Sequence, residues 1–135
     1  MNERRHFHVL VVEDEIAVRL VIGRFVQAAL KGQVKVSLAD GLVEAGRLDL
    51  KDVDLIICDM TLGYNENGFD LLRHMRAAGI ETPFMLMTGY SPERVAENMR
   101  PGEKFSNFNL IYKPLKSIAD FREKLEAALA LTALS

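Results

Sequence analysis

The sequence predicts an α/β protein: a three-layer sandwich with helices on both faces of a five-stranded parallel sheet. Three observations carry this. Five short apolar or alternating runs punctuate the chain: HVLVV (8–12), VKVSL (34–38), DLIIC (54–58), PFMLM (83–87) and NLIYK (109–113). Helical patterns lie between them, so strand and helix alternate five times, as parallel strands joined by right-handed crossovers require. Three of the runs are nearly all apolar, as expected of strands covered on both faces.

In the first helix Glu15, Arg19, Gln27 and Lys31 recur at multiples of four and mark a narrow wet stripe. Val18, Val21, Ile22, Phe25 and Ala29 are left to cover the sheet, and Gly32 stops the helix. A short piece, Leu42 to Leu48, follows the second strand. The third helix, Phe69 to Ala78, comes after Gly68, with Leu71, Leu72 and Met75 as its dry side and Gly79 at its end. Ser91-Pro92-Glu93 opens the fourth, with Ser91 as N-cap and Pro92 at the first helical position, and Arg100-Pro101-Gly102 closes it. The last helix, Ile118 to about Ala130, starts at Ser117 with Asp120 three residues on, and presents Ile118, Phe121, Leu125, Ala128 and Leu129 on one face.

The 135 residues show no repeat and no linker, so one domain with a core from about His6 to about Leu131 is expected. A net charge of -2 gives no electrostatic case for nucleic acid or an anionic membrane. The apolar stretch Val9 to Val12 is too short for a signal peptide, and nothing approaches a membrane span. The single cysteine, Cys58, suits a reducing, cytoplasmic compartment and a packing role. His6 and His8 sit at alternate strand positions but lack a third metal ligand, and His74, beside Arg73 and Arg76, is expected on a solvated helix surface.

In open α/β sheets ligands bind outside the carboxyl ends of the strands. There the sequence places Glu13-Asp14, Asp59, Thr88-Gly89 and Lys113-Pro114, while the second strand ends in an ordinary turn at Ala39-Asp40. Taken singly these are acids that open helices or charges in solvent. Together they form a constellation. Three carboxylates at one rim raise one another's pKa unless a cation intervenes, and one lysine offsets one charge, which suits a hard divalent ion such as Mg²⁺. A hydroxyl and an ammonium beside a carboxylate and Mg²⁺ are the parts needed to hold a phosphoryl group, with Asp59 as nucleophile and Gly89 leaving the approach open.

The motifs "VLVVEDE", "LIICDM", "MLMTGY" and "YKP", in that order, resemble the receiver domains of two-component response regulators over nearly the whole chain. The resemblance implies a flavodoxin-like (βα)5 fold with strand order 2-1-3-4-5 and a cis Lys113-Pro114 bond. It implies Asp59 as phosphoacceptor, Thr88 and Lys113 as switch residues, and Mg²⁺ held by Glu13, Asp14, Asp59 and the Thr61 carbonyl. A sensor histidine kinase or histidine phosphotransfer protein is the implied donor, the only catalysis being the domain's own phosphorylation and dephosphorylation. A weak homodimer would form through helix 4, strand 5 and helix 5. "TGYSPE" resembles receivers attached to hybrid histidine kinases.

Three departures stand out. Gly63 replaces a usual proline and Gly68 comes one residue late, so a more mobile loop is expected. Leu110 occupies the usual place of a switch aromatic, with Phe108 and Tyr112 on the same strand parity. The stretch 100–109, RPGEKFSNFN, lengthens the connection into the fifth strand. Thr61 and Tyr90 fall where the family tunes phosphoryl lifetime. With no length left for an output domain, the expected output is protein contact, a relay or a phosphoryl sink. A flavodoxin-type cofactor carrier is disfavoured because Glu13-Asp14 would repel its phosphate, and a haloacid-dehalogenase-like phosphatase because Thr61 stands where a second aspartate is needed.

Overall fold

Each of the five expected strands forms, its ends shifted by one residue at most. The structure, a computed structural model, describes residues 6–63, 65–115 and 117–134. In chain order the elements are β1 (Phe7–Val12), α1 (Ile16–Ala29), β2 (Val34–Ala39), α2 (Leu42–Gly46), β3 (Leu55–Asp59), α3 (Gly68–Ala77), β4 (Phe84–Thr88), α4 (Pro92–Glu97), β5 (Phe108–Tyr112) and α5 (Ile118–Leu134). A 3-10 turn at Leu50–Asp52 links α2 to β3. All neighbouring strands pair in parallel, in the order β2-β1-β3-β4-β5. The Lys113–Pro114 bond is cis.

The period-2 alternation of the strands divides their side chains between two cores. Val9, Val11, Leu55, Ile57, Met85, Met87 and Ile111 pack with Ile22, Val26 and Ala29 of α1 and with Phe121, Leu125, Ala128 and Leu129 of α5. Leu10, Val12, Ile56, Cys58, Phe84 and Leu86 face the other way, onto Ala45 of α2, Leu71, Leu72 and Met75 of α3, and Val95 of α4. Both faces of the central strands are covered, which is why their sequences are apolar without a break.

Two helix faces differ from expectation. In α1 the buried residues are Ile22, Gly23, Val26 and Ala29, while Val21 is 46% exposed and Leu20 43%. The helix is apolar around most of its circumference, so its narrow wet stripe left the inward direction ambiguous. Gly23 is the point of close approach: a methyl group there would lie 3.5 Å from Leu38 and 3.6 Å from Val36. In α5 Ile118 is 48% exposed. It is the first residue of the helix, and core contact begins a turn later at Phe121. That helix runs to Leu134, beyond the expected Ala130, and α2 ends at Gly46, short of the expected Leu48.

The other helix boundaries follow their caps. Asn67 Oδ1 accepts from the Phe69 amide at 2.8 Å to open α3, and Ser91 Oγ accepts from the Arg94 amide to open α4. Leu71, Leu72 and Met75 are buried as expected. Gly32 and Gly79 end α1 and α3 with φ of +76° and +77°, a conformation that glycine adopts without strain.

Candidate functional site

The four strand ends meet at one rim. Asp59 closes β3, and Lys113 follows β5 directly, its amide donating to the Thr88 carbonyl at 2.7 Å. Strand parity then sorts the side chains. Glu13 continues the Val9–Val11 row, Asp59 the Leu55–Ile57 row, and Lys113 lies two residues past Ile111, so these three share the α1/α5 side of the sheet. Thr88 continues the Phe84–Leu86 row on the opposite side, with Phe108, Leu110 and Tyr112.

Lys113 Nζ donates to Asp59 Oδ2 at 2.7 Å and lies 3.8 Å from Glu13 Oε1. Burial pushes the lysine down, but the hydrogen bond and charge of Asp59, with Glu13, outweigh it and leave its pKa raised. Glu13 is 2% exposed, its Oε2 accepts from the Glu15 amide at 3.1 Å, and its Oε1 is buried without a hydrogen-bond partner. Burial, then the adjoining Asp59 carboxyl, push Glu13 up to about 8. Burial is the larger cause of the elevation at Glu13, and the crowding of carboxylates expected from the sequence adds to it through Asp59.

A cleft of about 380 Å³ opens over this group, lined by Asp14, Glu15, Asp59, Thr61, Leu62, Gly89, Tyr90 and Lys113. Asp14 is exposed at its edge. Thr61 donates its amide to Asp59 Oδ1 at 3.1 Å, which fixes the turn after the aspartate. Nothing would lie within 4 Å of a methyl group at Gly89, so the approach on that side is open. Thr88 is buried, and its Oγ1 accepts from the Tyr90 amide at 2.9 Å. Tyr90 is half-buried with the Arg94 guanidinium 4.0 Å from its ring centre. A larger hollow of about 670 Å³ lies between α1 and β2, lined by Leu20, Gly23, Val36 and Leu38 among others, and none of the four strand-end groups lines it.

An orphaned buried carboxylate oxygen at Glu13 beside two further carboxylates is a donor set of hard oxygens, and it fits Mg²⁺. Among the described residues no group of three His, Cys, Asp or Glu side chains is placed to hold a metal ion by itself. Mg²⁺ seldom uses such a group, being held through one or two carboxylates and several waters.

Leu110 is half-buried, and Tyr112 is 41% exposed on the same face. Phe108, one of the two aromatics on that strand parity, packs 5.9 Å from Phe69 and 5.6 Å from Phe105, centre to centre. Cys58 is fully buried, its thiol pushed up by that burial and then by Asp59. His8 Nε2 lies 2.6 Å from Ser37 Oγ of β2 and its amide donates to Asp54 just ahead of β3, so it ties β1 to both neighbouring strands.

Several residues packed around the site had no structural role there on sequence grounds. Gly68 is one: a methyl group there would lie 2.6 Å from the Asp59 carbonyl and 2.6 Å from Leu86 Cδ1, so only glycine lets α3 start against the end of β3. Asn67, Glu66 and Arg19 are others. Glu66 Oε1 accepts from the Leu42 amide at the start of α2, and Arg19 donates to the Glu13 carbonyl at 2.8 Å. Asn67 alone carried a local signal, an N-cap residue just ahead of a glycine and an apolar run.

The family model for the response regulator receiver domain matches residues 9–126. The chain belongs to the receiver domain family. As a receiver domain it is 30% identical over 122 residues to the Regulator of RpoS of Escherichia coli (strain K12), covering 90% of this chain and 34% of that protein. It thus spans about a third of that curated relative. A response regulator receiver domain protein from Clostridium thermocellum superposes with a TM-score of 0.76 at 20% identity, over 95% of this chain and 98% of that one. The receiver domain from the hybrid histidine kinase CckA does so with a TM-score of 0.66 at 27% identity, over 90% and 98%. The flavodoxin-like order 2-1-3-4-5 is that of the receiver fold. No described helix is long and apolar enough to cross a membrane.

Proposed function

We propose that this receiver domain, with its core at about residues 6–131, accepts a phosphoryl group from a phosphohistidine of a histidine kinase or phosphotransfer protein onto Asp59, and signals by protein contact. The observation that carries this reading is the Lys113–Asp59 pair at 2.7 Å, set at the open end of a buried strand beside the orphaned Glu13 oxygen.

In this reading an Asp59 carboxylate oxygen attacks phosphorus, the phosphorus–nitrogen bond breaks, and the imidazole leaves with its electron pair. Asp14, Asp59 and the Thr61 carbonyl, with Glu13 behind them, would hold Mg²⁺. That ion supplies neutralisation of the phosphoryl oxygens. Lys113 exchanges its bond to the Asp59 carboxylate for one to a phosphoryl oxygen, and the Thr88 hydroxyl donates to another. Tyr90, pinned by Arg94, stands over the cleft and slows the entry of the water that later hydrolyses the acyl phosphate. The weak homodimer belongs to the α4–β5–α5 face, where Tyr112 and Ile118 are exposed.

Incubation with acetyl phosphate and Mg²⁺, followed by intact-mass measurement, should show one added phosphoryl group in the native chain and none in Asp59→Asn. An adduct that persists in the variant would sink the assignment. The likeness to the CckA receiver favours a second reading, a receiver module of a hybrid kinase. A pull-down with and without beryllofluoride separates a docking output from a phosphoryl sink, since only the former binds differentially.

A further inference from the structure

The loop after Asp59 and segment 98–107, which joins α4 to β5 and holds most of the lengthened stretch 100–109, are tied to each other. Asn67 pairs with Thr61 in a backbone bridge and caps α3 through its Oδ1. Its Nδ2 donates to Asn98 Oδ1 at 2.9 Å, just past α4. The Asn98 carbonyl accepts from Arg73 at 2.8 Å, and Arg73 grips Glu103 through two nitrogens at 2.8 and 2.9 Å. Glu103 in turn accepts from the Arg100 amide at 3.0 Å. The grip is firm: the Arg73 hydrogen bond, with a smaller opposing effect of burial, holds Glu103 down at about 2. One turn along α3, Arg76 donates to the carbonyls of Ser106 and Asn107. Under this polar strap Phe105 stacks 6.1 Å from Phe69.

We infer that the hydrogen-bonded series Asn67–Asn98–Arg73–Glu103, which passes through both the side chain and the main-chain carbonyl of Asn98, positions the phosphoacceptor loop and transmits its state to segment 98–107, which becomes the surface that reports phosphorylation in a chain whose β5 carries Leu110. The inference rests on the function proposed above. The strap as seen accompanies an Asp59 carboxylate held by Lys113 and by the Thr61 amide, and a Thr88 hydroxyl engaged by the Tyr90 amide. A phosphoryl dianion taking up Lys113 and Thr88 replaces these bonds and moves Thr61, and Thr61 is bridged to Asn67. The Asn67–Asn98 bond is then the first link outside the site to yield. Asn67 is a positioning residue here, since it touches no reacting atom.

The test is hydrogen exchange at the amides of 98–107 with and without acetyl phosphate and Mg²⁺, each sample checked by intact mass. In the native chain phosphorylation should speed exchange there by about fivefold or more, the lower end of usual site-to-site coupling. Asn67→Ser keeps a good N-cap for α3 but is too short to reach Asn98. It should still take the phosphoryl group on Asp59, exchange fast in segment 98–107 from the start, and respond by less than about twofold. Because coupling is reciprocal, its affinity for beryllofluoride with Mg²⁺ should rise. Asn98→Ala cuts the same link from the other side and guards against a folding defect of either variant. A full exchange response in both variants, or a phosphorylated native chain with no response in 98–107, overturns the inference and leaves the site assignment standing. A native chain that takes no phosphoryl group refutes the site assignment and this inference with it.

Discussion

The two helical layers are attached to one sheet by different physics. The α1/α5 layer is held by apolar burial: Ile22, Val26, Phe121, Leu125 and Leu129 against the Val9, Leu55, Met85 row, with Phe25 meeting Phe121 edge to face at 6.4 Å. The α3/α4 layer has an apolar core too, but directed bonds of Asn67, Arg73, Arg76, Asn98 and Glu103 cross its outer rim. Apolar contact is diffuse and yields only with a loss of volume, whereas a hydrogen bond is made or broken within an ångström. One layer is therefore suited to fix the strand ends and the other to change state without unfolding.

The largest effect should come from damaging the apolar layer. Phe121→Ala removes a fully buried ring and should lower stability by about 4 kcal/mol, read as a shift of the urea midpoint that is the same with and without Mg²⁺. Next comes the joint between the layers. Gly68→Ala puts a methyl group against the Asp59 carbonyl and Leu86, and should cost about 3 kcal/mol by overpacking while also lowering the yield of phosphorylation by acetyl phosphate.

The smallest effect should come from the polar rim, and it carries a pH signature. Glu103→Gln should cost about 1.5 kcal/mol near neutral pH, as the loss of a charged hydrogen-bond partner does. The Glu103 carboxyl lies near 2 in the folded chain against an ordinary 4.5, so its contribution is complete above about pH 5 and is lost as pH falls from 4.5 towards 2. Urea midpoints of the native chain and the Glu103→Gln variant should thus stay parallel above pH 5 and converge below it. A constant gap down to pH 2 would mean that the pair adds nothing through its charge.

The strands were legible in the sequence because burial on both faces leaves Val9 to Val12, Leu55 to Cys58 and Phe84 to Met87 no polar alternative. The site was legible for a related reason: Asp59, Thr88 and Lys113 are polar groups at the ends of apolar runs, where packing alone gives them no purpose. The inward face of α1 was not, since Leu20 and Val21 are as apolar as Ile22 and Val26 and only the sheet decides between them. The strap was hidden in another way. Arg73 and Glu103 lie thirty residues apart and look like solvated charges until α3 and the segment before β5 are laid side by side. Gly68 looked like a displaced family glycine, and its contact with the Asp59 carbonyl appears only when α3 is placed against β3.

That contact gives α3 a mechanical role. With no side chain at residue 68, the first turn of the helix rests on the backbone that carries Asp59, and this point is a fulcrum. At about 1.5 Å per residue, Arg73 sits roughly 8 Å along the lever. A small tilt under the carboxylate would be enlarged by the middle of the helix, where the Arg73 and Arg76 guanidiniums bind the Asn98, Ser106 and Asn107 carbonyls and the Glu103 carboxylate of segment 98–107.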